Sequence, residues 1–420
     1  MAKKVDLPEP IIPNDSWKVV KLGQYVKILN GYPFDSSRFT NSNENTYPII
    51  RIRDVVRGYT ETFTDEDCPD EYKIKKDEIL IGMDGDFNIS RWKSDFGLLN
   101  QRVCKISTVS KDLDEKFLFY YLPIPLKLIN DATPSVTVKH LSSTSLQELH
   151  FPLPTLAEQQ RIVNRIESMF AKLDEAKEKA QNVVDGFETR KAAILHKAFT
   201  GELTANWRKE NGVSDDSWEE KRLEEVCDFI TKGTTPKKED MSIGNGEIPY
   251  IKVYNLCFNT NLDFTIDPTF VKLESHKNFL ARSITLPGDV LMNIVGPPFG
   301  KVSIVPDKYP EWNINQAIAR FRCKPELKNV YLANYLISPK TIENMSCKIK
   351  TTAGQQNLTL EICRNITIPV PTFPEQVEIV RILDIIIEKE NKAKQAAEAV
   401  LEQIDLLKKS ILARAFRGEL

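Results

Sequence analysis

Hydrophobic residues recur every three or four positions along two stretches of the chain, which is the spacing of an amphipathic helix. The first stretch covers residues 152–203 and the second covers residues 369–420. In the first stretch the steps alternate between four and three, the heptad pattern of a coiled coil. We therefore predict two long helices that pair through an apolar seam.

The predicted pairing is antiparallel, with Ile166 against Leu407 and Ala176 against Ala397. Small residues then meet at the middle of the seam, and only Glu390 interrupts the apolar pattern of the second helix. Two amphipathic helices that pack on separate cores remain the alternative. The predicted pairing residues are Ile162, Ile166, Met169, Leu173, Ala176, Ala180 and Phe187 with Ile386, Ala393, Ala397, Val400, Ile404, Leu407 and Ile411.

The two helical stretches are also copies of each other. Residues 152–159 read PLPTLAEQ and residues 369–376 read PVPTFPEQ, while AFTGEL at 198–203 returns as AFRGEL at 415–420. Both the opening and the closing motif recur after 217 residues (369 against 152, 415 against 198), which indicates that the length of each stretch is specified, as in a ruler. The Thr and Glu of each opening motif predict a capping box, and each Gly predicts a helix end.

The rest of the chain predicts short strands separated by turns. The β-branched runs lie at 47–53, 78–81 and 102–106, and a helix is expected at 114–121. Residues 1–14 resemble a short arm, and the polar residues 204–215 resemble a linker.

Several of these strands recur later in the sequence. The tripeptide DSW occurs at 15–17 and 216–218, YPIIR at 47–51 matches IPYIK at 248–252, and NQRV at 100–103 matches NQAI at 315–318. We predict an α+β protein in which two β-rich, mixed α/β globules alternate with the two helices about a pseudo-two-fold axis. The expected boundaries are 1–151, 152–203, 204–216, 217–368 and 369–420.

Composition narrows the class of protein. A chain of 420 residues that is 41% hydrophobic and 28% charged is expected to fold as two or three globular domains. No apolar run suggests a signal peptide or a membrane span, and the seven cysteines form no C-x-x-C pair, so we expect a cytoplasmic protein. The four histidines show no metal-ligand spacing, and we expect neither a metal nor a cofactor.

The repeated motifs resemble those of the specificity subunit of type I restriction-modification systems. NGYPF at 30–34, IGMDGDFN at 81–88 and LNQRV at 99–103 resemble motifs of the first target-recognition domain. KGTTP at 232–236 and INQA at 314–317 resemble those of the second. The resemblance covers essentially the whole chain.

The resemblance implies that each globule reads one half of a bipartite double-stranded DNA target. It also implies that the helices set the spacer and bind two modification subunits, which a restriction subunit then joins. The net charge of −2 argues against a simple electrostatic clamp on DNA, because such a clamp usually presents a basic face.

Base readout needs donors and acceptors on loops that can enter a groove. In the first globule, the loop at 86–93 combines polar and basic groups with two aromatic side chains, and three arginines follow a strand. In the second globule, the candidates are the basic loop that contains Thr234, Thr235 and Lys237, and the residues that correspond through the repeat to the candidates of the first globule. For each single residue, an ordinary solvated surface position is the alternative. The predicted DNA-binding residues are Arg51, Arg53, Arg57, Asp86, Phe87, Asn88, Arg91, Trp92 and Lys93, then Thr234, Thr235, Lys237, Lys252, Tyr254, Asn255, Phe299 and Lys301.

Sequence signals for catalysis are weak. GPPF at 296–299 resembles an amino-methyltransferase motif, but Gly296 lacks the side chain that would hold the target amine. Residues 84–88 begin like a calcium loop, but Ile89 occupies the position that requires glycine. Three hypotheses remain: a non-catalytic DNA-reading subunit, a DNA-modifying enzyme that acts alone, and a coiled-coil scaffold with two protein-binding heads.

Overall fold

The computed structural model describes residues 17–133, 139–348, 350–352 and 355–420, so the predicted arm at 1–14 lies outside the described residues. The chain divides into two compact units. Unit 1 comprises Met1–Gln181 and Ala399–Leu420, and unit 2 comprises Asn182–Glu398. Each unit therefore contains one globular part and segments of both long helical stretches.

Among the described residues, the globular part of unit 1 contains short strands and four short α-helices. Its strands are β1 (Lys18–Lys21), β2 (Val26–Asn30), β3 (Phe39–Thr40), β4 (Tyr47–Ile50), β5 (Phe63–Thr64), β6 (Lys73–Lys75), β7 (Ile79–Gly82), β8 (Ile89–Arg91), β9 (Phe96–Leu99), β10 (Val103–Thr108) and β11 (His150–Leu153). Its helices are α1 (Ile52–Arg57), α2 (Glu115–Tyr121), α3 (Pro123–Ala132) and α4 (Ser143–Glu148).

These strands form three sheets. A four-stranded antiparallel sheet has the order β2-β10-β7-β8, a five-stranded sheet has the order β3-β5-β4-β9-β6, and β1 pairs with β11. Within the five-stranded sheet, β4 and β9 run parallel, with Ile49 opposite Leu98 and Ile50 opposite Leu99. The largest core cluster lies between the antiparallel sheet and the helices and includes Phe117 and Phe151.

The first helical stretch forms α5 (Leu156–Asp185) and α6 (Phe187–Phe199), and α7 (Ala205–Asn211) follows. The second globular part has strands β12 (Glu219–Arg222), β13 (Cys227–Lys232), β14 (Met241–Ile243), β15 (Ile248–Ile251), β16 (Thr269–Val271), β17 (Val290–Asn293), β18 (Val295–Gly296), β19 (Val302–Ile304), β20 (Asn313–Ile314), β21 (Ile318–Cys323), β22 (Lys350–Thr352), β23 (Gln355–Asn357) and β24 (Thr367–Val370). Its helices are α8 (Leu223–Val226), α9 (Leu273–Lys277), α10 (Asn329–Leu336), α11 (Pro339–Ser346) and α12 (Leu360–Arg364), and the second helical stretch is α13 (Phe373–Ala415).

The sheets of unit 2 repeat the plan of unit 1. The orders are β13-β21-β17-β19 for an antiparallel sheet, β14-β16-β15-β20 for a mixed sheet and β12-β24 for a strand pair. As in unit 1, the mixed sheet contains one parallel pair, β15 with β20, in which Ile251 lies opposite Ile314. Unit 2 adds a small sheet of order β18-β23-β22. The internal repeat in the sequence therefore corresponds to a repeated fold.

The sequence predicted a single strand at 47–53, but the structure has a strand followed by a helix in this run. The strand ends at Ile50, and α1 begins at Ile52. The cause is a local cap, because the Asp54 carboxylate accepts a hydrogen bond from the Arg51 backbone N–H at 3.0 Å. The helix ends at Arg57, and Gly58 caps it with a φ of 80°, the left-handed conformation that glycine adopts at low cost.

The first helical stretch is not one continuous helix, which corrects the sequence prediction. It breaks at Gly186, between α5 and α6, whereas α13 runs unbroken through Gln403, the equivalent position. Glycine is a poor helix former. The Arg190 guanidinium lies against the break, donating to the Val183 carbonyl at 2.9 Å and to the Glu390 carboxylate at 2.7 Å. Glu390, which interrupts the apolar pattern, thus has a cationic partner within unit 2.

Two buried glutamines connect the starts of the helical stretches to the globular parts through hydrogen bonds. Gln159 is fully buried; its Nε2 donates to the carbonyls of Asp112 at 2.8 Å and Pro154 at 2.9 Å, and its Oε1 accepts from the Asp114 N–H at 2.7 Å. In unit 2 the Gln376 side chain makes the same three hydrogen bonds, with the carbonyls of Glu326 at 2.9 Å and Pro371 at 3.0 Å and with the N–H of Lys328 at 2.8 Å. We call Gln159 and Gln376 the helix-start glutamines.

The closing motifs are fastened by aromatic contacts. In unit 1, Phe416 packs edge-on against Phe117 and Tyr121, each with a centroid distance of 5.2 Å. In unit 2, Phe199 packs in the same way against Tyr331 at 5.3 Å and Tyr335 at 5.0 Å. Because the partners are four residues apart on a helix, each pair presents one face to the phenylalanine. Each unit therefore includes the start of one helical stretch and the end of the other.

Within unit 1, α5 and the end of α13 run antiparallel, but not in the predicted register. Lys408 forms an ion pair with Asp174 and lies over the Phe170 ring, with its Nζ 5.1 Å from the centroid. The predicted register places Lys408 opposite position 165, nine residues before Asp174. The predicted register required Ile162 and Ile166 to pack against the second helical stretch. Both side chains are instead buried in the core of the globule of unit 1.

The predicted pairing residues consequently have different environments. In the first stretch Ala180 and Phe187 are buried, while Met169, Leu173 and Ala176 are partly buried. In the second stretch Ala397 and Ile404 are buried, and Ile386 and Ile411 are partly buried. The prediction is wrong for Ala393, Val400 and Leu407, which are exposed.

The segment at 204–215 is not a simple linker. It contains α7, and its Arg208 side chain is only 8% exposed. The Arg208 guanidinium donates to the carboxylates of Glu375 at 2.7 Å and Asp215 at 2.9 Å. The segment therefore packs over the start of α13 within unit 2. Because Glu375 faces Arg208, its side chain does not complete the predicted capping box.

Candidate nucleic-acid interface

In each unit, the two parallel strands deliver polar side chains to one edge of the mixed sheet. Parallel strands have their carboxyl ends at the same edge. In unit 1, β4 is followed by Arg51, and β9 is followed by the Asn-Gln-Arg sequence at 100–102. In unit 2, β15 is followed by Lys252, and β20 is followed by Asn-Gln-Ala at 315–317. Each unit thus combines a basic residue with an Asn-Gln loop.

A glycine holds this loop in place in each unit. The Gly31 N–H donates to the Val103 carbonyl at 3.0 Å, and a Cβ added to Gly31 would clash with the Asn100 carbonyl. The Gly233 N–H donates to the Ile318 carbonyl at 3.1 Å, and a Cβ there would clash with the Ile314 carbonyl. The NGYP and KGTTP motifs therefore need glycine for the close approach of two backbone segments.

An open cleft of about 650 Å³ lies at this edge of unit 1. Four predicted DNA-binding residues line it, namely Arg51, Arg53, Asp86 and Asn88. The structure adds residues that the list of predicted contacts omitted. These additional lining residues are Ser36, Phe39, Ile52, Val56, Asp84, Gly85, Asn100, Gln101 and Arg102.

The three guanidinium groups of the cleft are held in different ways. Arg51 lies over the Phe39 ring, 5.9 Å from its centroid. The Nη2 of Arg53 donates to the Thr62 hydroxyl at 3.0 Å. Arg102 lies with its Nε 3.7 Å from the carboxylate of Asp84. These arginines therefore bring positive charge to the cleft while still exposing donors.

The Asn-Gln-Arg loop adds two features to the cleft. Arg102 has a φ of 75°, a conformation that is uncommon for a residue with a side chain and often occurs at functional sites. Asn100 is buried, and its Oδ1 has no hydrogen-bond partner among the described residues. A sequence signal for this loop was available in the internal repeat, because NQRV at 100–103 matches NQAI at 315–318.

Four residues predicted on the loop at 86–93 do not line the cleft. Phe87 and Trp92 are buried in core clusters, so their assignment as DNA contacts is wrong. Phe87 has a φ of 51°, and the Trp92 indole N–H donates to the Phe96 carbonyl at 3.3 Å. Arg91 is engaged by Glu115 at 2.9 Å and by the ring of Phe119. Lys93 and Arg57 are exposed but do not line the cleft.

The predicted residues of unit 2 also separate into exposed and buried groups. Thr235, Lys237 and Tyr254 are exposed, and Lys252 is partly buried, with its Nζ 5.7 Å from the centroid of the Tyr254 ring. Arg282, which sequence reasoning missed, is exposed and donates from Nε to the Thr234 hydroxyl at 3.0 Å. No sequence motif marks Arg282.

Thr234, Asn255 and Phe299 are buried, which corrects their assignment as surface contacts. The Asn255 side chain accepts from the Lys252 N–H at 2.9 Å and donates to two carbonyls, so it stabilises the turn after β15. Phe299 belongs to the main core of unit 2. Lys301 is partly buried against the ring of Phe258.

Tyr250 stabilises the loop that contains Thr234 and Thr235 in unit 2. Its hydroxyl donates to the Thr234 carbonyl at 2.9 Å, and burial raises the pKa of Tyr250 to about 12. The phenol therefore stays protonated and keeps this hydrogen bond at neutral pH.

The loop at 296–299 is a structural turn. The Asn293 side chain donates to the Pro298 carbonyl at 2.8 Å and accepts from the Lys301 N–H at 3.0 Å. Across the described ranges, no three His, Cys, Asp or Glu side chains are grouped so that they could bind a metal ion. In that same part of the chain, no helix has both the length and the apolar character needed to cross a bilayer.

Comparison with known proteins identifies relatives along nearly the whole chain. The family model described as "Type I restriction modification DNA specificity domain" matches twice, at residues 14–184 and 215–403. The specificity subunit of the type I restriction enzyme EcoBI from Escherichia coli is 32% identical over 425 residues, which is 97% of this chain and 87% of the relative. That of MjaVIII from Methanocaldococcus jannaschii is 23% identical over 97% of this chain and 94% of the relative.

Two solved structures share the fold. One is described as showing the complex assembly and conformational transition of the type I R-M system; it has a TM-score of 0.66 and 19% identity, and the match covers 99% of this chain and 100% of that chain. The other is the HsdS subunit from Thermoanaerobacter tengcongensis, with a TM-score of 0.60 and 19% identity over 97% and 98% of the two chains.

Proposed function

Because this chain belongs to the DNA specificity subunits of type I restriction-modification systems, we propose that its two units each read one half of a split duplex DNA target. A specificity subunit is the non-catalytic recognition component of such a system. The chain therefore selects the DNA, and its modification and restriction partners carry out the chemistry.

The observation that carries this proposal is the repeated edge of the mixed sheet. In both units a basic residue that caps a strand end lies beside an Asn-Gln loop held by a glycine. Guanidinium, ammonium and amide groups are the common donors to phosphates and to base edges. The side chains around the shared frame differ between the units, as at Arg53 and its repeat counterpart Tyr254. The same repeated sheet edge can therefore recognise a different half-site in each unit.

We assign DNA contact to the predicted side chains that remain accessible, together with the cleft residues of the Asn-Gln-Arg loop. Buried side chains are left out because they stabilise the fold. Arg91 and Lys301 are left out because Glu115 and Phe119 engage the first and Phe258 packs against the second. The proposed contacts are Arg51, Arg53, Arg57, Asp86, Asn88, Lys93, Gln101 and Arg102 in unit 1, and Thr235, Lys237, Lys252, Tyr254 and Arg282 in unit 2.

The helical stretches are the proposed docking surface for two modification subunits, which a restriction subunit then joins. Apolar side chains on α13 support this assignment, since Val400 is 39% exposed, Leu406 is 65% exposed and Leu407 is 48% exposed. Contact with a partner helix would remove these side chains from water, which is favourable.

Selection from random duplex DNA tests the proposal, using the full chain assembled with the modification subunit of its own genome. The expected result is a motif of two short specific halves with a fixed gap. A continuous motif would mean that only one unit reads DNA. Absence of any enrichment would favour the scaffold with two protein-binding heads.

We further propose that the helical stretches set the gap between the two halves. Inserting four residues at matching positions of both stretches lengthens each helix by about 6 Å. At about 3.4 Å per base pair, this corresponds to about two base pairs. The selected motif should keep both halves and widen its gap accordingly, and an unchanged gap would refute the proposal.

A further inference from the structure

One face of α1 projects from the edge of the cleft in unit 1. Asp54 and Val55 are buried, while Arg53, Val56 and Arg57 are exposed. These three positions are spaced i, i+3 and i+4, so they form a single surface of the helix. Both Arg53 and Val56 line the cleft. The exposed face of α1 thus presents one apolar side chain together with two guanidinium groups.

The Arg53 side chain is held in one orientation although it is 54% exposed. Its Nη2 donates to the Thr62 hydroxyl at 3.0 Å, and its Nε lies 3.8 Å from the Asp54 carboxylate. Thr62 is itself fixed, because its carbonyl accepts from the Ile49 N–H at 2.9 Å. One edge of the guanidinium therefore faces the protein, while Nη1 has no hydrogen-bond partner among the described residues and can donate to a ligand.

Val56 is 54% exposed, in contrast to its neighbour Val55, which is fully buried in a core cluster. In the major groove, the apolar group that a base edge presents is the C5 methyl of thymine. A guanidinium presented end-on matches the paired acceptors O6 and N7 of guanine in the same groove. Side chains at i and i+3 of a helix lie about 5 to 6 Å apart, close enough to address neighbouring base pairs.

Resting on the function proposed above, we propose that Arg53 and Val56 read two neighbouring base pairs of the first half-site. Arg53 donates to the O6 and N7 of a guanine, and Val56 packs on the methyl group of an adjacent thymine. Thr62 is a positioning residue that acts through Arg53. Arg57, on the same face but outside the cleft, contacts phosphate.

Base selection by variants of the full chain, assembled with its modification subunit, tests the assignment. Arg53→Ala should lose the preference for guanine at one position of the first half, with discrimination falling at least about fivefold, and leave the second half intact. Thr62→Val removes the hydroxyl that accepts from Arg53 but keeps the shape of the side chain. This variant should partly lose the preference for guanine at the same position. Arg57→Ala should weaken binding to all sequences evenly and keep the motif.

The thymine contact has a separate test. Replacing that thymine by deoxyuridine removes only the methyl group and should weaken binding by the wild-type chain about fourfold. The same replacement should have no effect on the Val56→Ala variant. Thermal unfolding of each variant shows whether the fold is kept, which matters most for buried Thr62.

The outcomes separate this inference from the broader function. A split motif that Arg53→Ala leaves unchanged would overturn the guanine contact while the bipartite function stands. A Val56→Ala variant that remains sensitive to deoxyuridine would overturn the thymine contact. If the wild-type assembly selects no split motif, the proposed function itself fails.

Discussion

Replacing Glu375 should destabilise unit 2 far more than replacing its repeat counterpart Glu158 destabilises unit 1. Glu375 is fully buried, and its Oε1 accepts from Arg208 Nη1 and from the Thr204 hydroxyl, each at 2.7 Å. Glu158 is 32% exposed and pairs with Arg161, three residues further along the helix. The same residue of the repeat therefore has two different electrostatic environments.

The expected magnitudes follow from the burial of each pair. Removing one member of a buried pair leaves an uncompensated charge and costs about 3 to 5 kcal/mol. Asp215, whose side chain is 79% exposed, also contacts Arg208 and offsets part of this cost, so we expect about 3 kcal/mol for Glu375→Ala. A surface pair contributes about 0 to 1 kcal/mol, which is the range expected for Glu158→Ala.

Hydrogen–deuterium exchange measured on individual peptides, combined with urea unfolding, measures the effects of Glu375→Ala and Glu158→Ala separately. In Glu375→Ala, peptides from residues 201–217 and from the start of α13 should exchange faster, while those of unit 1 remain unchanged. Local exchange is needed because a chain with two units need not unfold in one step.

A double variant provides the control. Replacing Arg208 by Met and Glu375 by Leu removes both charges, and its stability should lie near that of the wild type. Equal effects of Glu375→Ala and Glu158→Ala would refute the reasoning. A double variant as unstable as Glu375→Ala would show that packing, rather than unpaired charge, dominates.

Three further predictions follow from the described contacts. Replacing either helix-start glutamine by alanine leaves two carbonyls and one N–H without partners, so urea unfolding should show a similar loss of about 3 kcal/mol or more in each case; clearly unequal losses would contradict the equivalence of the two units. Burial raises the pKa of the Cys104 thiol to about 12, so iodoacetamide at pH 8 should alkylate exposed Cys347 and leave Cys104 unmodified until the pH approaches that value or the chain unfolds; rapid labelling of Cys104 in the folded chain would contradict its burial. A short bis-maleimide should link cysteines placed at Asp174 and Lys408 but not at Arg165 and Lys408, since positions 165 and 174 are about 13 Å apart along a helix; the reverse result would restore the register predicted from the sequence.

Sequence patterns identified the helices well because two independent signals agreed. The 217-residue repeat and the heptad spacing both marked the same stretches, and the structure has α5, α6 and α13 there. The register was not predictable in the same way. Periodicity shows which face of a helix is apolar but not what covers it, and the globule of unit 1 covers Ile162 and Ile166 before α13 reaches them.

The candidate cleft was only partly predictable for a related reason. A loop has no period, so its sequence does not show which side chains turn inward. Phe87 and Trp92 resembled exposed aromatic groups because polar residues surround them, yet both pack into cores. The places of Gln101 and Arg102 depend on the parallel pairing of β4 with β9, which the sequence does not show, although the match of NQRV at 100–103 to NQAI at 315–318 marked the loop.

The internal repeat helps to separate residues that hold the fold from residues proposed to read DNA. Buried positions that are identical in the two copies hold the fold, as Gln159 and Gln376 do through matching hydrogen bonds. Exposed positions that differ between the copies are the ones we propose to set different half-sites, and Arg53 against Tyr254 is one such pair. Under this proposal, a change of exposed residues at the sheet edge changes the DNA target while the duplicated framework stays constant. Exchanging only the exposed residues of α1 should accordingly alter the first half-site without altering the second.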